Sequence, residues 1–359
     1  MSEAVVDDIV AVLPLLLESL EALGFIGRHL NPPDFGRVMH AVGTPDEALQ
    51  AAQARLAAWP EEFADVQSAL QAASDAALKA FEGLRAVQNG NGDLVAVFRA
   101  LRYAPRAQEA LYPLTEKFPP VSSFFVDPAC RDDADLLARL AAQAGPDTGI
   151  LHDHNEAGSR GGFSLYVPET YSDDQAWPLV TALHGGSGDG RSFLWSWLRD
   201  ARSLGAILVA PTSVGRTWGL NNPEADAANL ARILGEIEGR WRVDPTRRLM
   251  TGMSDGGTFC YVAGLDAGSP FTHLAPCSAS FHPMIAMMAD HERLAGLPIH
   301  ITHGALDWMF DVAMAQEAAA ALTAAGARVT YREIPDLAHT YPREINPEVL
   351  GWLDHAPAA

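Results

Sequence analysis

Beyond about residue 145 the chain alternates short apolar runs with helix-length segments, and that alternation leaves few folds open to it. The runs fall at 163–167, 179–183, 206–210, 248–253, 273–278, 299–302 and 329–334, with segments such as 225–240 and 311–325 between them. A strand that is apolar on both faces must be covered on both faces, so this pattern predicts a mainly parallel sheet flanked by helices, an α/β architecture. Chemistry in such sheets collects at the carboxyl ends of the strands.

The first 144 residues follow a different rule. They are Ala- and Leu-rich with helical spacing, and candidate helices cover roughly 4–24, 45–58, 61–86, 92–103, 106–116 and 132–143. Turn chemistry interrupts them at Asn31-Pro32-Pro33, Asn89-Gly90-Asn91-Gly92 and Pro119-Pro120, and Asp93 is placed to cap the helix that begins at Leu94. No His, Cys, Ser and carboxylate cluster forms a chemical pattern here. Residues 1–144 are therefore expected to be a helical accessory domain, a lid or an oligomerisation module, ahead of a catalytic domain over 145–359.

Charge and cysteine usage narrow the partners. With 25 Lys+Arg against 45 Asp+Glu the formal net charge is −20, a surface that repels phosphate backbones and anionic lipid. Nucleic acid and stable membrane insertion are both excluded as expectations; the apolar run 9–17 is too short to span a bilayer. Cys130, Cys260 and Cys277 make an odd set without a CxxC pair, which fits a reducing compartment, and MSEAVVDD lacks the basic start of a secretory signal. A cytoplasmic location is expected. His152 and His154, in HDHN, would share a strand face, yet no further ligand cluster lies nearby, so no metal site is expected.

The strongest chemical signal is Gly252-Met253-Ser254-Asp255-Gly256-Gly257, which follows the strand LMTG and precedes the apolar stretch TFCYVAGL. This is G-x-S-x-G in a strand–turn–helix setting. The reversal is tight enough that side chains at 252 and 256 would collide, and it projects the serine at a helix N-terminus, where developing negative charge is favoured. A serine used this way needs a base and a carboxylate to orient that base. Asp307 lies just beyond the run 299–302, and His339 sits on the loop after the final strand. His303 is closer to Asp307 in sequence but ends a strand and is read as packing under the loop; Asp311 is read as a helix cap and Asp336 as a turn residue. The run 179–183 ends in HGGSGDG, whose glycines let a backbone N–H approach an oxyanion. One donor would be the N–H of Asp255, the other that of Gly186, with Gly185 as the alternative.

At HGGSGDG, GRTWGLNN followed by Asp226, VDPTRRLMTGMSDGG, HGALDW and HTYP, residues 160–355 resemble the α/β-hydrolase superfamily, in its polyhydroxybutyrate-depolymerase-like, feruloyl-esterase-like and phospholipase/carboxylesterase-like esterase group. The resemblance implies the α/β-hydrolase fold and a Ser254–His339–Asp307 triad in that family's chain order, serine, acid, histidine. It further implies no cofactor, and hydrolysis of small carboxylic esters through an acyl-enzyme. Many members are secreted and disulfide-bonded, and this chain is expected to be neither. Trp195, Trp218, Met253, Phe281, Trp308 and Tyr341 are candidates to line the substrate pocket. The stretch 281–297 has no room for a cap domain, so a lid would come from the N-terminal helices, which otherwise serve a homo-oligomer. Peptidase or amidase action, acyl transfer to an alcohol, and a non-catalytic binding scaffold remain the alternative readings.

Overall fold

The computed structural model describes residues 3–141, 145 and 147–353, and the chain divides into two compact units, 1–141 and 142–359. The boundary expected at 144/145 falls among residues 142–144 and 146, outside the described residues.

The first unit is helical: α1 (Glu3–Arg28), α2 (Phe35–Val42), α3 (Pro45–Gln53), α4 (Ala64–Gln88), α5 (Leu94–Leu101), α6 (Tyr103–Leu111), α7 (Pro119–Phe124) and α8 (Ala134–Leu140). Its core forms where α1 and α4 lay apolar faces on α3 and α6. Along α1 those residues are Val5, Ile9, Val12, Leu13, Leu16, Leu20 and Leu23, the spacing of one helical stripe. This helix is longer than the run read from sequence: at 26 residues it is long and apolar enough to cross a membrane by composition alone, while its stripe is spent on the core. Asp93 caps α5, accepting from Ala96 N at 3.1 Å. Two helices escaped the sequence pattern. One is α2; the other, α7, begins at Pro119-Pro120, read above as a break. Proline is tolerated in the first turn because those N–H groups need no helical acceptor.

The second unit is built on an eight-stranded sheet in the order β1-β2-β4-β3-β5-β6-β7-β8. The strands are β1 (Gly149–Asp153), β2 (Phe163–Val167), β3 (Trp177–Leu183), β4 (Ile207–Pro211), β5 (Val243–Met253), β6 (His273–Cys277), β7 (Pro298–Gly304) and β8 (Arg328–Ile334). From β4 through β8 all pairing is parallel, whereas β1–β2 and β2–β4 are antiparallel. The runs at β2, β4, β6 and β7 are buried throughout, and β8 alternates in exposure as an edge strand does. Strand β1 is the one the apolar pattern missed: GILHD is a half-exposed edge with one partner and needs no continuous apolar run. Helices α9 (Gly190–Phe193), α10 (Leu198–Leu204), α11 (Glu224–Glu238), α12 (Asp255–Gly264), α13 (Met284–Met288), α14 (His291–Leu294), α15 (Val312–Ala324) and α16 (Asn346–Leu353) fill the connections and flank the sheet. The connection after β6 holds two short helices, α13 and α14, rather than the single one expected.

This order places the chemistry. The chain runs from β3 to β4 on one side, then crosses to β5 on the other side of β3, so strand order reverses between β3 and β5. The carboxyl ends of strands at such a reversal leave a crevice. HGGSGDG leaves β3 there, Ser254 leaves β5, and the loops after β7 and β8 leave the same edge of the sheet.

Candidate active site

The turn carrying Ser254 is held in a conformation that side chains rarely adopt, with φ 55° and ψ −119°. Its neighbours show why glycine flanks it. A Cβ on Gly252 would lie 2.6 Å from the Gly256 carbonyl, and one on Gly256 would lie 2.4 Å from the Leu183 carbonyl oxygen. Backbone bonds fix the turn from both sides, Ser254 N to Cys277 O at 3.0 Å and Thr258 N to Ser254 O at 2.8 Å. The hydroxyl therefore stands at the start of α12, facing the loops from β7 and β8.

Those loops bring an imidazole and a carboxylate to it. His339 Nε2 lies 3.1 Å from Ser254 Oγ, and His339 Nδ1 lies 2.8 Å from Asp307 Oδ2. Because the carboxylate can only accept, Nδ1 carries the proton and Nε2 is left as acceptor for the serine hydroxyl. Asp307 Oδ1 accepts from Met309 N and Phe310 N, each at 2.9 Å. Burial alone would push the Asp307 carboxyl up; the hydrogen bonds from His303, His339 and the Phe310 N–H outweigh it and hold the group well below the usual carboxylate range. The two loops are tied by Leu306 N to Leu337 O and Ala305 N to Ile334 O, both 2.9 Å. His303 packs beneath the loop, as read from sequence, and also approaches Asp307 Oδ2 at 3.3 Å. Asp311 caps α15 through Ala313 N.

On the other side of the serine lies the loop after β3. A Cβ on Gly185 would touch Met253 O and Ser254 Cβ at 3.6 Å, and one on Gly186 would sit 2.9 Å from Asp255 Oδ2. Gly185, Gly186 and the first residue of α12, Asp255, thus crowd the serine, and an N–H at the first helical position has no helical acceptor. Side chains given no role by the sequence alone shape this loop. Arg160 donates from Nη1 to Gly188 O at 2.8 Å, from Nε to Gly215 O at 2.7 Å and from Nη2 to Ser213 Oγ. His184 Nδ1–H donates to Gly185 O at 2.7 Å, while its Nε2 accepts from Ser213 N at 3.1 Å. Burial pushes the His184 imidazole down to about 4. Asp226 accepts from Val214 N and Gly219 N, and Thr217 Oγ1 donates to Asp255 Oδ2 at 2.6 Å. No local pattern would have revealed Arg160, which lies on the β1–β2 connection.

The candidate pocket residues separate. Trp195, Trp218 and Phe281 are enclosed, at 1%, 2% and 6% exposure. Trp218 donates its indole N–H to His184 O and stacks on Phe259, and Phe281 packs edge-on to Tyr261. Tyr341 turns its hydroxyl to Asn346 Oδ1, which belongs to a polar cluster with Ser196 O and Asp200. That leaves Met253 in the elbow and Trp308, whose ring lies 6.0 Å from that of His339, beside the reacting groups. A cavity of about 380 Å³ lies elsewhere, against β1, β2 and the end of α11, and no triad residue lines it. Among the described residues no group of three or more His, Cys, Asp or Glu side chains gathers to hold a metal; His152 bonds Ser164 Oγ and His154 is exposed.

Residues 229–352, which contain Ser254, Asp307 and His339, match the phospholipase/carboxylesterase family. "Probable feruloyl esterase C" of Aspergillus clavatus is 28% identical over 163 residues, 43% of this chain and 59% of that protein. Its counterpart in Aspergillus terreus is 31% identical over 116 residues, 30% of this chain and 43% of that protein. The chain thus spans less than two thirds of the length of these relatives. A solved thermostable esterase aligns over 59% of this chain and 64% of its own at 19% identity, with a TM-score of 0.47.

Proposed function

Starting from a second unit that belongs to the α/β-hydrolase superfamily of serine esterases, we propose that this chain hydrolyses carboxylic esters with Ser254 as nucleophile, His339 as general base and acid, and Asp307 as the group that orients His339. The observation that carries the reading is the unbroken line of hydrogen bonds from Ser254 Oγ through His339 to Asp307.

In the first half-reaction His339 Nε2 takes the Ser254 proton as Oγ bonds the ester carbonyl carbon. The carbonyl oxygen, now an oxyanion, is received by the N–H groups of Asp255 and Gly186, with Gly185 beside them, and by the N-terminal end of α12. The tetrahedral adduct collapses, the alkoxide leaves with the proton from Nε2, and an acyl-Ser254 ester remains. Water then enters, gives its proton to Nε2, bonds the acyl carbon, and Ser254 leaves with that proton as the acid departs. Asp307, buried and ionised, stabilises the imidazolium formed twice per cycle without itself being protonated. The relatives' printed names concern feruloyl esters, which supports testing hydroxycinnamoyl esters beside short-chain ones.

Ser254→Ala tests the reading. Turnover of p-nitrophenyl acetate and methyl ferulate is expected to fall by about 10⁴- to 10⁶-fold, and labelling by a fluorophosphonate probe to vanish. A variant that keeps wild-type turnover removes the proposal.

A further inference from the structure

Asp307 receives two imidazoles on the same oxygen. His339 Nδ1 stands 2.8 Å from Oδ2 and His303 Nε2 stands 3.3 Å from it, while two backbone N–H groups occupy Oδ1. Four donors use the carboxylate's full accepting capacity. His303 Nε2 also lies 2.9 Å from Phe310 O, an atom that can only accept, so Nε2 carries the proton and shares it between the two oxygens. The His303 side chain is 1% exposed, and its Nδ1 is buried without a hydrogen-bond partner. A position needing only bulk is better filled by an apolar side chain, which strands no ring nitrogen. The stranded nitrogen is tolerable if the opposite one has work to do.

We propose that His303 is a positioning residue of the triad: its Nε2–H holds Asp307 and the Phe310 carbonyl together and limits how strongly Asp307 attracts the proton of His339. The proposal rests on the reading that Asp307 serves His339 in ester hydrolysis. The titratable groups around the His303 ring are Asp307 on the loop that follows its strand, His339 after β8 and Glu333 on β8, and Cys277 of β6 interacts electrostatically with Asp307. Losing one donor leaves Asp307 with more charge to offer the imidazolium, so His339 should hold its proton to higher pH.

Three substitutions separate this role from packing. His303→Leu fills space without a donor. His303→Gln sets an amide N–H near the place of Nε2, and His303→Asn sets one near the place of Nδ1, out of reach of Asp307. In the full chain, kcat is expected to fall about 10- to 100-fold in the Leu and Asn variants with KM within about threefold of wild type. In both, the acidic limb of the pH–rate profile should move up, and so should the titration midpoint of the His339 imidazole followed by NMR. The Gln variant should recover both. If the Leu variant does not fold, the Asn and Gln pair, alike in polarity, makes the same comparison. Limbs and midpoints that stay at the wild-type pH, or a Gln variant no better than Asn, overturn the role of His303. An inactive wild-type protein, or an active Ser254→Ala, would instead overturn the esterase reading, and the NMR midpoints would still decide what His303 does.

Discussion

The two sides of Ser254 are built by different means. On the acid side everything that holds Asp307 lies within four residues of it or belongs to the triad: Met309 N, Phe310 N, His303 and His339. On the oxyanion side the loop 184–190 is held by residues from two other connections. Arg160 before β2 donates to Gly188 O; after β4, Thr212 Oγ1 accepts from Gly190 N, and Ser213 N and the Trp218 indole N–H donate to His184, while Asp226 holds that β4 loop at Val214 N and Gly219 N. The acid has one position to keep, and one short loop can keep it. The β3 loop must present backbone N–H groups to an atom that appears only during reaction. Its own His184 side chain bonds Gly185 O, but that ring is in turn fixed by Ser213 N, so neighbouring loops help to set the geometry.

The comparison breaks most sharply at Asp307. Asp307→Asn keeps the shape of the side chain, but its amide nitrogen can meet His339 only by presenting a donor. The ring then turns its proton toward Ser254, the wrong tautomer for a base. An activity loss of about 10⁴-fold is expected in kcat for short-chain esters, with the fold intact by circular dichroism. A loss under about tenfold would mean that the acid side contributes position and little electrostatics.

The same contrast explains what could be read from sequence. Ser254 was legible because the elbow demands glycines at fixed offsets between a strand and a helix; Asp307 and His339 were legible as polar residues just beyond apolar runs. Arg160 was not, since it acts across 28 residues on Gly188 and 55 on Gly215 and belongs to no local pattern. Strand β1 was hidden for a related reason: an edge strand paired on one side carries polar residues such as His152 without penalty. Trp218 was misplaced as a pocket wall because apolar sequence is the same whether it faces substrate or core. Only the bond from its indole N–H to His184 O, and its stacking on Phe259, distinguish them.

His184 makes the oxyanion side sensitive to acid. Burial lowers this imidazole to about 4, and His273, the first residue of β6, is likewise lowered to about 4 by burial and by Arg328. A histidine whose folded value lies below its unfolded one binds its proton more readily in the unfolded chain. Stability is therefore complete above about pH 6.5 and falls as pH drops from there toward 4. Each group accounts for up to about 3 kcal/mol across that window. Denaturant midpoints measured from pH 7 to 4.5 should fall steadily, and His184→Asn should flatten the slope; a midpoint that is level over this range would show that the ring is not held neutral by its surroundings.

The smallest effect expected, and the one that bears most directly on the contrast, concerns Arg160. Its guanidinium meets Gly188 O, Gly215 O and Ser213 Oγ at once, so it fastens the β3 loop to the β4 loop without facing the reacting atoms. Arg160→Met keeps the length of the side chain and removes all three bonds. A displacement of the N–H groups by an ångström costs up to about 10²-fold in rate, so kcat should fall about 10- to 100-fold while KM, set elsewhere, changes little. Arg160→Lys should fare nearly as badly, because an ammonium keeps the charge but cannot hold the fork that reaches three acceptors in different directions. If lysine restores the rate, charge near the oxyanion matters and geometry does not. If methionine leaves kcat within about twofold, the β3 loop holds its own shape and the two sides of the serine are built alike.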